Sequence, residues 1–504
     1  MATAIPTTEA GLLPETRPAA SVRDAWTAPT ALVLAAFYFA TSIYISRHRL
    51  FWIDEIFTIL LARLPHVANI WQALARGIDA QPPGYYVTVM LSEKLLGHSE
   101  VAARMPSTLA LVAGLLVTYD CARRLTNGVH GLIALSLLTC SFLPYYGYEA
   151  RPYALFFMLS ALAFWIWNCT RYDSGWAAVA FGAVLGVAVM MHYYATLCLL
   201  PYVLWEAIRW KPWQRPSPKL LAGFIGVVVP AAVLSPLVLS FAREFSATSH
   251  VDPSLAGHAS PFWTLLSTFS QWFPDGLFLL ALLMLLIVLL RGEGKTMEAP
   301  PVGGAESLGW LFLTLPLAGY VLAQVKTHAF VPRYFISALP GVAVAFACWT
   351  WRCFRDARRL TVAMFGLLAA WGIGQQVMAM RDPEPLKTMQ KRTRFFMNLE
   401  DSFGSDGKRF IVFPHPPLYL ETSYYSKHPS ECILLKGYGG FMDPQSVDLA
   451  RYYPLRFWTL DDLREHAKEA VLIEPRAEVL DALRQAGFQI DERYPKPWEI
   501  VYIK

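Results

Sequence analysis

The chain has 504 residues, 55% of them hydrophobic and 16% charged, which is too apolar for an ordinary soluble protein and too long for one compact core. The net charge of +5 does not mark a nucleic-acid partner, because much of the Lys and Arg excess falls in short loops between apolar segments, where membrane topology accounts for it. Seven cysteines, all but Cys432 in or beside apolar segments, form neither a disulfide framework nor a zinc spacing.

In chain order, residues 1–28 are polar with several Pro and Ala and are expected to be a disordered cytoplasmic segment. They are too long and too weakly basic for a secretory leader, so Thr30 to Ser46 reads as an uncleaved first span. Past Arg47-His48-Arg49 come Asp54 and Glu55, then apolar residues at 53, 56, 57, 60, 61, 64, 67, 70, 71 and 74, a helical stripe broken at Pro65. Such a segment lies on the membrane surface more readily than it crosses. Tyr85 to Leu96 is too short to span and reads as a second interfacial helix started by Pro82-Pro83. The next span is Ala103 to Ala122. The expected fold is a polytopic α-helical membrane protein with about eleven spans over residues 29–380 and interfacial helices in the first external loop. Residues 381–504 form a small soluble α/β domain, with strands at 410–413, 470–473 and 499–503 and a helix at 477–486 before Gly487.

Orientation follows from charge. If Arg123-Arg124 faces the cytoplasm, the loops on that side carry thirteen Lys or Arg and the opposite short loops carry four. The 51–102 loop, the 243–274 loop and everything beyond Met380 then lie outside the cytoplasm. Asp54, Glu55, Gln81, Arg104, Glu149, Arg151, His192, Tyr193, Tyr194, Lys326, His328 and Arg333 all fall at that one face. Ionisable groups near hydrocarbon are costly unless paired or solvated, so the set points to a polar cavity. Snorkelling is the plainer reading of any single member, and an aromatic belt around a satisfied histidine is the plainer reading of His192-Tyr193-Tyr194.

Such a cavity supports sugar transfer from a lipid phosphate, which needs a carboxylate to take the acceptor's proton and fixed positive charge for the departing phosphate. Asp54 or Glu55 supplies the base. Arg104, Lys326, His328 and Arg333 supply the charge, guanidinium groups being suited to forked contacts with phosphate oxygens. Adjacent acids cannot share one helix face, so only one of the pair points at the acceptor. A transporter or lipid flippase would also need many spans and a polar cavity, but it predicts charged or broken segments at the bilayer midplane and internal repeats, and no repeat is visible. A non-catalytic glycan-binding protein remains a third reading.

Five short motifs occur in order: Asp54-Glu55; Gln81-Pro82-Pro83-Gly84-Tyr85-Tyr86; Ala102-Ala103-Arg104-Met105-Pro106-Ser107; Tyr148-Glu149-Ala150-Arg151-Pro152-Tyr153; and His192-Tyr193-Tyr194. Over residues 30–345 this order resembles the GT-C superfamily of membrane glycosyltransferases, in particular the bacterial branch similar to protein O-mannosyltransferases and the lipid A aminoarabinose transferase. The resemblance implies an inverting transfer from a polyprenyl-phosphate sugar to a lipid, glycan or protein acceptor, at the periplasmic face of the inner membrane. It maps the base onto Asp54, with Glu55 beside it, and the donor-phosphate contacts onto Arg104 and Arg333. It leaves Gln81, Tyr85, Glu149, Arg151, His192, Tyr193 and Tyr194 to line the cavity. Where members commonly have Lys-Pro-Pro, this chain has Gln81-Pro82-Pro83, which removes a positive charge. Some members use a divalent metal; with only Asp54 and Glu55 as early carboxylate ligands, action without metal or other cofactor is expected here.

Overall fold

The computed structural model describes residues 25–171, 173–210, 216–248, 261–290, 301–327, 330–354, 356–383, 389–400, 409–438, 449–467, 469–494 and 500–503. His328 and residues 1–24 of the expected N-terminal disordered segment lie outside these. The first span, α1 (Thr27–His48), starts at Thr27 rather than Thr30, with Pro29 in its first turn, where the ring's fixed φ suits a helix and the missing N–H has no partner to lose.

The loop after α1 folds as the hydrophobic pattern dictates. Three short helices follow: α2 (Ile53–Ala62), α3 (Val67–Leu74) and α4 (Pro83–Leu96). Pro65 lies in the break between α2 and α3, and Pro83 opens α4 at its first position. Ser99 caps α5 (Glu100–Leu125) by accepting the Ala102 N–H at 3.1 Å, and Asn127 caps α6 (Gly128–Thr139) through His130 N–H at 3.1 Å. Each supplies an acceptor to an amide left free at a helix start.

The helical body continues with α7 (Tyr153–Cys169), α8 (Gly175–Met191), α9 (Leu200–Arg209), α10 (Pro218–Thr248), α11 (Pro261–Trp272), α12 (Gly276–Leu290), α13 (Gly304–Leu311), α14 (Thr314–Leu322), α15 (Leu339–Phe354) and α16 (Arg358–Arg381). Among the described residues, six helical stretches are long and apolar enough to cross a membrane: 27–48, 100–125, 218–240, 304–325, 332–354 and 358–381. The stretches 266–272 and 276–289 meet at 76° and are long and apolar enough only when taken together, as a broken span or a re-entrant loop, while α6, α7 and α8 are shorter apolar helices. Small residues let these helices touch. A Cβ on Gly226 of α10 would stand 2.0 Å from the Gly182 carbonyl of α8. One on Gly84 would stand 2.5 Å from Met190 O, so α4 rests directly on the C-terminal end of α8.

After α17 (Met389–Glu400) comes a six-stranded sheet in the order β3-β2-β1-β4-β6-β5, made of β1 (Arg409–Phe413), β2 (Cys432–Leu435), β3 (Phe457–Trp458), β4 (Glu469–Ile473), β5 (Ile490–Tyr494) and β6 (Ile500–Ile503). β1, β2, β3 and β4 pair in parallel, and β6 runs antiparallel to β4 and β5. Alternation decides which side faces what. Val412, Ile433, Leu435, Leu472, Val501 and Ile503 pack under the helices at 460–466 and 477–485. Ile411, Phe413, Cys432, Leu434, Val471 and Ile473 face the other way, join α18 (Pro416–Tyr425) and merge with the core of the helical body.

Candidate functional site

The two acids have opposite environments, because successive helical positions point apart. Glu55 is fully buried and makes a forked pair with Arg104, Nε to Oε1 and Nη2 to Oε2, both at 2.7 Å. Its Oε1 also accepts the Ala150 N–H at 2.7 Å, and its Oε2 accepts the Trp52 N–H at the start of α2 at 3.3 Å. Burial works against its charge, but Arg104, Arg49 and the Ala150 amide outweigh it and hold the carboxyl below the usual range. Arg104 is equally occupied. Nη1 donates to the carbonyls of Ser46 (3.1 Å) and Arg49 (2.8 Å), and Nη2 donates to Leu50 O (3.0 Å), so all five N–H groups have acceptors. The expectation that Arg104 binds the donor phosphate is therefore corrected, since it has no donor left to offer. It locks the chain leaving α1 to the first turn of α2.

Asp54 points the other way. Its side chain is 27% exposed, and its nearest cations are Arg333 Nη2 at 3.7 Å and Arg151 Nη2 at 3.9 Å, both to Oδ2. Burial raises its pKa, while Arg151 and Arg333 hold it back. The Asp54 carbonyl, by contrast, is tied down by Arg151 Nη1 (3.1 Å) and the Thr58 hydroxyl (3.0 Å).

Arg151 is buried and anchored by Asp79 at 2.8 Å. Arg333, 32% exposed, donates Nε to the Tyr153 hydroxyl at 2.9 Å and lies over the Tyr153 and Tyr334 rings. His192 stacks on Phe156 (5.1 Å between centroids, 5° between planes) beside Tyr153, Tyr194 and Tyr334, and its Nδ1 accepts the Tyr194 N–H at 3.2 Å. Burial, reinforced by Arg151 and Arg333, pushes it to about 3, so it is neutral, with Nε2 unpartnered. Tyr193 lies half-buried within electrostatic reach of Asp79.

Glu149 is buried with Oε2 unpartnered, and burial pushes it up to about 7, against the pull of Arg49 and with the charge of Glu55 adding. Gln81 is also buried, its Oε1 unpartnered. Tyr85 is turned inward, its hydroxyl 2.8 Å from Ser107 Oγ, which in turn donates to Arg151 O at 3.1 Å. Its expected place on the cavity wall is corrected to a tie between α4, α5 and the 148–153 segment. Lys326 lies in the turn at 323–327 that follows α14.

Two further residues belong to the site. Asp79, two positions before Gln81, anchors Arg151; an acid in the same loop as Asp54 was the available signal. Arg49, which reads from sequence as one of a row of flanking charges, is buried against Tyr145 (Nη2 to hydroxyl 2.6 Å), with Nε and Nη1 unpartnered. Among the described residues no group of three or more His, Cys, Asp or Glu is arranged to hold a metal ion.

Because Glu149 is raised above its ordinary 4.5, its contribution to stability is complete below that value and is lost as pH rises through about 7. The thermal midpoint in detergent is expected to fall between about pH 5 and 8, with Glu149 contributing about 3 kcal/mol at most. Glu149→Gln should flatten its share of that decline; an unchanged slope would contradict the assignment.

Residues 80–238 match the family model described as dolichyl-phosphate-mannose-protein mannosyltransferase. Among solved structures, ArnT from Cupriavidus metallidurans in the apo state matches with a TM-score of 0.60 at 11% identity, over 95% of this chain and 98% of that one. The same protein bound to undecaprenyl phosphate matches at 0.59 and 13%, over 95% and 97%. The archaeal oligosaccharyltransferase AglB of Archaeoglobus fulgidus follows at 0.44 and 10%, over 89% and 69%, too loose to carry an argument. No curated protein matches in sequence.

Proposed function

We propose that this chain, a GT-C-type membrane glycosyltransferase, performs an inverting transfer of a sugar from a polyprenyl-phosphate donor to a lipid, glycan or protein acceptor at the periplasmic face of the inner membrane. One observation carries the reading. Of the two adjacent acids, Glu55 is consumed by Arg104, whereas Asp54 presents a partly exposed carboxylate within 3.7 Å of a partly exposed guanidinium, Arg333.

In a single displacement, Asp54 takes the proton of the acceptor hydroxyl as its oxygen bonds to the anomeric carbon, and the bond from that carbon to the phosphate oxygen breaks with its electron pair on the phosphate. Arg333 meets the charge that develops there, and Lys326 and His328 are proposed to join it. Arg151, braced by Asp79, fixes the backbone of Asp54. Glu149, Gln81, His192 and Tyr193 have polar groups suited to sugar hydroxyls, and a neutral Glu149 can donate as well as accept. No divalent metal enters the scheme. A likeness of fold to ArnT, which has been solved bound to undecaprenyl phosphate, supports that class of donor.

Mass spectrometry of envelope glycans and lipid carriers tests this in cells with and without the gene. Loss of the protein should remove one glycosyl substituent and leave its polyprenyl-phosphate donor to accumulate; unchanged glycans and carriers would refute it. Arg333→Ala should raise the donor KM by roughly 10- to 100-fold, the worth of a charge-assisted contact. Arg333 also lowers the pKa of Asp54, so its removal should move the acid limb of the rate profile to higher pH. Unchanged donor kinetics and an unmoved limb would exclude Arg333 from the phosphate.

A further inference from the structure

The helix that carries Asp54 is held from outside the helical body. Ile53 is the first residue of α2, so its N–H has no acceptor within the helix. It donates instead to Glu421 Oε1 of α18 at 2.8 Å, 368 positions along the chain. Two residues earlier the Phe51 N–H donates to the Tyr425 hydroxyl at 2.7 Å, and that hydroxyl is directed at Glu100 Oε1, 3.3 Å away, at the start of α5. The Phe51 ring meets Tyr424 edge-on at 5.9 Å. At the other end of α2 the Tyr453 hydroxyl donates to Leu60 O, and Arg394 donates to His48 O at the end of α1 at 2.6 Å. The C-terminal domain therefore grips α2 at both ends, together with the strand of chain that enters it.

We infer that Glu421 and Tyr425 are positioning residues for the reaction, through which the C-terminal domain fixes the turn that bears Asp54. This role rests on the proposed transfer. The choice of an acid as acceptor has a physical reason. Glu421 is buried, its Oε2 accepts the Thr393 hydroxyl at 3.3 Å, and burial raises it to about 8 against the Ile53 amide and Thr393, with the charges of Glu55 and Asp54 adding. At neutral pH it is an uncharged acceptor, which spares the site a further negative charge beside Glu55 and Asp54. Glutamine has the same shape and the same acceptor. Alanine leaves the part-buried Ile53 amide without one, a loss that lets the first turn of α2 move.

The test compares the full-length chain with Glu421→Ala, Glu421→Gln and Tyr425→Phe by two readouts: amide hydrogen exchange over residues 51–62, and transfer kinetics with the labelled undecaprenyl-phosphate sugar that the wild type uses fastest. Glu421→Ala should speed exchange in the first turn of α2 and lower kcat roughly 10- to 100-fold, as a small misplacement of a reacting group does, with the donor KM within about twofold. Glu421→Gln should restore both. Wild-type kcat in Glu421→Ala, or no rescue by Gln, overturns the inference. Should Glu421→Ala fail to accumulate, Tyr425→Phe carries the test, and wild-type kcat and exchange in it overturn the inference equally. The two readings fail separately. If the wild type transfers no sugar yet α2 exchange responds to Glu421→Ala, the transfer reading is wrong and the grip stands; if Asp54→Asn is inactive and Glu421→Ala is not slowed, the grip alone is wrong.

Discussion

Asp54→Asn is expected to lower kcat by roughly 10²- to 10⁴-fold, the range of a positioned general base, while leaving membrane insertion and thermal midpoint near those of the wild type. The two halves of this expectation come from different atoms of one residue. The carboxylate has its closest ion-pair contacts at 3.7 and 3.9 Å and is partly open to solvent, so the fold depends little on its charge. The carbonyl, which receives Arg151 and the Thr58 hydroxyl, is kept by asparagine. Initial rates with a labelled lipid-linked sugar, set beside thermal unfolding in detergent, check it. Transfer near the wild-type rate would remove Asp54 as the base, and a collapse in stability with it would make the residue structural.

Arg104→Ala is expected to act in the opposite way, destabilising the protein by about 3–5 kcal/mol, the cost of stranding a buried partner charge. It leaves the Glu55 carboxylate without its forked partner and removes the Arg104 hydrogen bonds to three carbonyls of the 46–50 segment. Lysine should rescue little, because one ammonium has three donors and no fixed fork to replace five. The measurement is accumulation in the membrane together with the thermal midpoint. A variant with a normal midpoint and a raised donor KM would return Arg104 to the phosphate.

That reversal shows where sequence stops informing. Adjacent acids on a helix diverge by geometry, so the prediction that only one of Asp54 and Glu55 faces the reaction was available from spacing alone. The identity of the buried one was not, since it depends on Arg104, 49 positions away, being brought against α2. The short helices after α1 were legible because α2 and α3 follow an apolar stripe broken at Pro65 and Pro83 opens α4. The C-terminal strands were legible because alternating positions such as Ile411 and Val412 serve opposite faces of a sheet. Asp79 and Glu421 were not, since an acid in a loop or on an amphipathic helix ordinarily meets water, and only packing decides that these meet Arg151 and the Ile53 amide. Arg49 was hidden for a related reason. A basic residue after a first span is the usual flanking charge, and nothing local marks this one as buried against Tyr145.

The most direct measurement uses the purified chain in proteoliposomes with a panel of labelled undecaprenyl-phosphate hexoses and pentoses and a membrane extract as the source of acceptor. Label should move covalently to an acceptor, with one undecaprenyl phosphate released per sugar and none released by the Asp54→Asn protein. Lipid that crosses the bilayer with its sugar still attached, at equal rates in both proteins, would contradict the account and point to a flippase.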